Sequence, residues 1–102
     1  MVAEMKKLRD LLDAEGIEWK DRSNGERDID RTHFWFRKYK WSVVNGFGSY
    51  GGYIGSSSRN EGLLEMMSDA VNGGDPIGWL TAEEVMKFVR GEEDGKIYEK
   101  LV

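Results

Sequence analysis

The sequence predicts an α+β fold: an N-terminal helix, a small antiparallel sheet of about three to five strands, and a C-terminal helix. Three observations predict it. Apolar residues recur at helical spacing over residues 3–15 and again beyond Thr81. Between them, apolar and polar residues alternate with the period of two that marks a half-buried strand. Glycine-rich stretches punctuate the chain between these segments. A chain of 102 residues builds one modest core. We therefore expect a single domain over 1–102, with loops at 21–31 and 46–60 and a tail at 92–102.

In the first segment, Met5, Leu8, Leu11, Leu12 and Ile17 share a helical face, and Gly16 stands where a left-handed C-terminal cap is expected. Ile17 to Trp19 reads as a short strand. Residues 21–31, DRSNGERDIDR, are polar and hold the turn signal Asn24-Gly25, so they are expected to form the most mobile loop. His33 to Arg37 reads as a strand with Phe34 and Phe36 on one face and His33 and Trp35 on the other. Tyr39 to Asn45 follows, with Tyr39, Trp41 and Val43 opposite Lys40, Ser42 and Val44. The intervening Arg37-Lys38 has neither Gly nor Asn, so a hairpin and one long bent strand both stay open.

Residues 46–62 read as a loop or distorted hairpin. Leu63 to Val71 mixes helix-favouring residues with a short span between glycines; the reading leans to a strand over Leu63–Met67. Residues 72–76 form a turn, and Ile77 to Leu80 is extended. Thr81 and Glu84 make a capping box, in which each side chain takes one of the orphan N–H groups at a helix start. Val85, Phe88 and Val89 give that helix its buried face, and Gly91 ends it. In the tail, Ile97, Tyr98 and Leu101 are expected to dock on the core or meet a partner.

Composition narrows the function classes. No apolar run approaches the ~18 residues of a membrane helix, and residues 1–16 lack the apolar centre of a signal peptide. A cytoplasmic location is expected. With no cysteine there is no thiolate nucleophile and no cysteine metal site. The net charge of −4 is uneven: residues 52–102 hold five Lys/Arg against ten Asp/Glu. The one local basic run is Arg37, Lys38 and Lys40. That balance argues against wrapping a phosphate backbone.

No catalytic set, metal site or cofactor is expected. His33 is the only histidine, and Asp28 and Asp30 beside it lack helical pairing. Ser49, His33 and Asp30 match a triad in composition only, without a nucleophile elbow. Gly46-Phe47-Gly48-Ser49-Tyr50-Gly51 fits Gly-x-Gly-x-x-Gly, but no helix follows to hold a phosphate. Glu61 and Glu65 read as solvated carboxylates.

The aromatic-glycine segment from Tyr39 to Gly55 is the best candidate for a site. Phe47, Ser49, Tyr50, Gly51, Gly52, Tyr53 and Arg59 are the expected binding residues, because shaped loops carry function and Tyr and Arg recur at binding hot spots. For Tyr50 a second reading stays open, in which the ring packs back under a tight turn.

The chain also resembles small, uncharacterised accessory proteins of tailed phages and prophages. The residues that carry the likeness are Val43-Val44-Asn45-Gly46, Ser49-Tyr50-Gly51-Gly52, Glu61-Gly62-Leu63-Leu64-Glu65 and Gly78-Trp79-Leu80-Thr81-Ala82-Glu83-Glu84-Val85, in that order. They span about half of the chain. The stretch from Tyr53 to Asn60 is an expansion, and the N-terminal helix and the 20–31 loop lie outside the pattern. The resemblance implies a small α+β fold, a strand at Leu63–Met67 and an origin as a phage or prophage accessory gene, acting in the cytoplasm of a bacterial host cell. It implies no catalysis.

The expected function is therefore a noncatalytic interaction module that meets a host or phage protein through the 46–60 loop. One alternative is single-stranded nucleic-acid binding on a Trp35–Trp41 surface that interleaves Arg37, Tyr39 and Lys40. Another is an acidic inhibitor of a host nucleic-acid-binding defence protein. Monomer and homodimer both stay open.

Overall fold

Met5, Leu8 and Leu12 recur on one helical side, and the core forms around them. The computed structural model describes residues 1–53 and 59–92; Gly55 of the predicted loop and the tail residues Ile97, Tyr98 and Leu101 lie outside the described residues. The first helix, α1, is Ala3–Ala14. It ends in a Schellman motif. Gly16, at φ 71°, donates its N–H to Asp13 O, and Ile17 donates to Leu12 O. Five strands follow: β1 Trp19–Asp21, β2 Asp30–Phe36, β3 Tyr39–Asn45, β4 Leu64–Ser68 and β5 Ile77–Leu80. They form one antiparallel sheet in chain order. The last helix, α2, is Ala82–Val89. The protein is thus an α+β fold with helices at both ends of the described chain and a five-stranded sheet between them.

Alternation assigns the two faces of the sheet. Phe34, Trp41, Val43, Leu64, Met66, Ile77 and Leu80 point inward and join Val85, Met86, Phe88 and Val89 of α2 in a single core. Helix α1 packs on α2 and β2, and α2 on β4 and β5. Among the described residues, the opposite sheet face carries no helix. None of the helices of the described residues is long and apolar enough to cross a membrane.

The start of α2 follows the sequence reading. Thr81 accepts the N–H of Glu84, and the Glu84 carboxylate accepts the N–H of Thr81 at 3.0 Å. Glu4 of α1 adds a third contact, accepting the Ala82 N–H at 2.8 Å. Three orphan donors of one helix are thereby satisfied, one of them by the other helix.

Two local readings need correction. The first strand begins at Trp19 rather than Ile17, because Ile17 serves the α1 cap and the core. The segment 21–31 is not an open loop. Arg22 donates to Arg31 O and Asn24 to Ile29 O, continuing the β1–β2 ladder, and Asn24 caps a 3-10 turn at Gly25–Arg27. Strand β2 consequently starts at Asp30, not at His33.

Of the two alternatives open at Arg37-Lys38, the chain takes the hairpin, a two-residue turn with φ 52° and 69°. Such turns need positive φ at both central positions and normally use Asn-Gly. Arg37 accepts the strain while its guanidinium donates to Phe88 O at 3.3 Å, at the end of α2. Lys38 has no comparable bond among the described residues. Replacing Lys38 by glycine relieves a left-handed conformation that costs a side-chain-bearing residue about 1 kcal/mol. Lys38→Gly is expected to raise stability by about 0.5–1 kcal/mol in urea denaturation, less the entropy that glycine adds to the unfolded chain.

Arg9 was not expected in the interior. It lies on the α1 face between Met5 and Leu12 and is buried. Its Nε donates to Thr32 Oγ1 at 2.8 Å, and its terminal nitrogen donates to Asp21 Oδ1 at 3.0 Å and Arg31 O at 3.1 Å. The guanidinium also stands 4.6 Å from the centre of the Trp19 ring. One side chain thereby ties α1 to the β1–β2 edge.

Candidate functional site

In the loop between β3 and β4, the described residues are held by glycine contacts and hydrogen bonds. Ser49 is its hinge. Its hydroxyl accepts the Gly46 N–H at 2.9 Å and donates to Gly46 O at 2.9 Å. Gly46 O also receives the N–H of Ser49 and of Tyr53, at 3.2 and 3.3 Å. The chain from Gly46 to Tyr53 therefore closes on itself. Gly52 sits so deep in this ring that a Cβ there would lie 2.2 Å from Gly46 O and 2.3 Å from Ser49 Oγ.

Two asparagines seal the base. Buried Asn45 donates from Nδ2 to Leu63 O at 2.8 Å and to Asn60 Oδ1 at 2.9 Å. Asn60 returns the bond, donating to Asn45 Oδ1 at 2.6 Å, and its Oδ1 also accepts the Gly62 N–H. The carbonyl of Gly51, at φ 103°, accepts the Leu63 N–H at 3.0 Å and a longer bond from Asn45 Nδ2 at 3.5 Å. The sequence reading missed both asparagines. Their signal was a polar residue at an inward strand position, Asn45, where only a paired amide can be buried.

The aromatic side chains stand out from this frame in two stacks. Phe47 and Tyr53 stack with ring centres 4.2 Å apart and planes 11° from parallel. Tyr50 stacks on Trp79 of β5 at 5.2 Å. Phe47 is 55% exposed, Tyr50 49% and Trp79 44%. Trp79 reaches this position because β5 bulges between Ile77 and Leu80, which puts Trp79 at φ 56°. Gly78 lies beneath Tyr50, and a Cβ on it would come within 2.1 Å of Tyr50 Cβ. Backbone bonds fix the same contact: Trp79 N–H donates to Tyr50 O at 3.1 Å, and Tyr50 N–H to Glu65 Oε1 at 3.2 Å. The packed reading of Tyr50 holds for its contact with β5. Its ring packs on the strand, and half of it faces solvent.

Of the expected binding residues, Phe47, Tyr50 and Tyr53 supply the rings, while Ser49, Gly51 and Gly52 supply the frame. Arg59 is exposed where the chain returns. Trp79 was absent from that set. It joins through the β5 bulge, which no local pattern announces. A cleft of about 280 Å³ opens beside Tyr53, lined by Asp28, Asp30, Asn45, Asn60 and the first two residues.

Comparison with protein-family models, curated proteins and solved structures returns no match.

The chemical sets considered in the sequence do not assemble. Ser49 Oγ is committed to Gly46, and Asp30 accepts the Val2 N–H at 2.9 Å. His33 pairs with Ser42 on the helix-free face of the sheet. Glu65 caps Tyr50, and Glu61 is exposed. Among the described residues no group of three or more His, Asp or Glu is placed to hold a metal. The Trp35–Trp41 platform divides as well. Trp41 is wholly buried, parallel to Phe34 at 6.1 Å, while Trp35 is 68% exposed.

Proposed function

We propose that the protein is a noncatalytic protein-interaction module that grips one partner protein through the Phe47–Tyr53 and Tyr50–Trp79 stacks. The observation that carries the reading is that three of these rings, Phe47, Tyr50 and Trp79, are about half exposed beside a loop segment, 46–53, closed by its own backbone bonds. Association normally loses free energy in ordering loops and side chains. A loop already closed at Gly46, Ser49 and Gly52 loses little. Stacked rings keep a fixed orientation, and Tyr and Trp dominate binding hot spots. Arg59, at the same rim, is the natural charged anchor. The likeness to phage and prophage accessory proteins, carried by Ser49-Tyr50-Gly51-Gly52 and Gly78-Trp79-Leu80-Thr81, supports a partner protein in the bacterial cytoplasm. It also joins the two segments that meet in the Tyr50–Trp79 stack.

The test is affinity capture from bacterial lysate with the protein and its Tyr50→Ala/Tyr53→Ala variant. The double variant is expected to fold and to lose a protein that the native chain captures. Loss of two hot-spot rings weakens binding by at least about 2 kcal/mol, roughly thirtyfold. Identical capture by both proteins would refute the reading.

A further inference from the structure

The sheet face away from the helices has a chemistry unlike that of the chain as a whole. Net charge is −4, yet Lys20, Arg22, Arg31 and Lys40 gather on this face around His33. Register places them. Lys20 stands opposite His33, His33 opposite Ser42, and Lys40 opposite Trp35. Arg22 continues β1 opposite Arg31, to whose carbonyl its N–H donates at 2.9 Å. Burial pushes the His33 pKa below its ordinary 6.5, and Lys40, Arg31 and Arg22 push it further. The imidazole thus reports a positive field.

Among the described residues little offsets that field. The ion pairs of the described residues are Lys7 with Glu83, Arg9 with Asp21 and Arg90 with Glu15, and none involves these four cations. Within the strands, the carboxylate on this face is Glu65, which is engaged by Tyr50 N–H. Glu18 stands just before β1, and Asp69, just beyond β4, directs its carboxylate to Gly74. Trp35 rises beside the cations, about 7 Å along the strand from His33. It is the most exposed aromatic side chain among the described residues and stacks on no other ring there.

We propose that this face binds single-stranded nucleic acid, with Lys20, Arg22, Arg31 and Lys40 on phosphates and Trp35 stacked on a base. Charge complementarity selects a polyanion. The flat indole selects bases over an acidic peptide, since every base offers a ring face. It selects a single strand over a duplex, whose stacked bases hide those faces. Trp41 and Arg37 take no part, because one is core and the other reaches to α2.

Anisotropy titration of the whole protein against a fluorescent oligothymidylate tests the proposal. Three to four phosphate contacts predict saturable binding that weakens about 20- to 50-fold from about 50 to about 200 mM salt. Trp35→Ala is expected to weaken it about 10- to 100-fold, with Trp35→Phe restoring most of the loss. Lys40→Gln should make the logarithmic salt slope shallower by about 0.7. Both positions are exposed, so unchanged unfolding midpoints will confirm intact folds. Bound phosphate also offsets the charges of Lys20, Arg22, Arg31 and Lys40, so the His33 imidazole should titrate at higher pH in the complex when followed by NMR. Absence of saturable binding at the lower salt would overturn the proposal. So would native affinity in Trp35→Ala, an unmoved His33 titration, or equal competition by polyglutamate.

Discussion

Replacing Gly52 by alanine will destabilise the protein by about 2–3 kcal/mol, the upper part of the range for a forced overpacking. The methyl group would lie 2.2 Å from Gly46 O and 2.3 Å from Ser49 Oγ. Neither can step aside. Gly46 O accepts three hydrogen bonds of the loop, and Ser49 Oγ holds both the N–H and the carbonyl of Gly46. The ring must therefore open to admit one carbon. Gly25 is the control, since a Cβ there meets nothing within 4 Å and its φ is not positive. Gly25→Ala should fall within about 0.5 kcal/mol of the native protein. Urea denaturation of the two variants measures the difference. Equal midpoints would show that the loop does not depend on the Gly52 contact.

Arg9→Ala will cost about 3 kcal/mol, as expected when one partner of a buried charged network is removed. The truncation deprives Arg31 O of a donor, opens space between α1 and β2, and leaves Trp19 without its stacked cation. Arg9→Met should cost less, about 1–2 kcal/mol, because the stem volume is kept and mainly the hydrogen bonds go. The same cluster makes stability sensitive to acid. Bonds from the Ser23 hydroxyl and N–H, with a smaller contribution from Arg9, hold the Asp21 carboxyl at about 2, against an ordinary 3.8. A folded-state pKa below the unfolded one means the stabilisation is present above 3.8. It is lost as pH falls from there through about 2. Thermal unfolding of the native protein and Asp21→Asn across that window should show the native advantage disappearing at the acid end.

The two ends of the fold were legible because their signals are local. The capping box at Thr81 and Glu84, the αL glycines Gly16 and Gly91, and the alternation through Phe34 to Asn45 each depend on residues a few positions apart. The β4 strand, ambiguous by propensity, is settled by pairing with β3 and β5, which no short window contains. Arg37-Lys38 defeated the turn rules because tertiary bonding at Phe88 offsets the strain at Arg37. Arg9 could have been found: it falls on the same helical face as Met5, Leu8 and Leu12. The basic face could not. Lys20, Arg22, Arg31 and Lys40 come from three strands, while the local run Arg37, Lys38 and Lys40 is broken up by the hairpin. In the loop, the aromatic and glycine residues were visible, but Trp79 joins Tyr50 only through the bulge in β5.

The central claim is that the glycine-closed loop displays its rings for a partner protein and does not need them to fold. Capture from bacterial lysate by the native protein, Tyr50→Ala/Tyr53→Ala and Trp35→Ala, run side by side with their unfolding midpoints, tests it most directly. The account predicts that the loop variant stays folded and loses a protein that both the native chain and Trp35→Ala retain. The same captured protein on all three chains would contradict it.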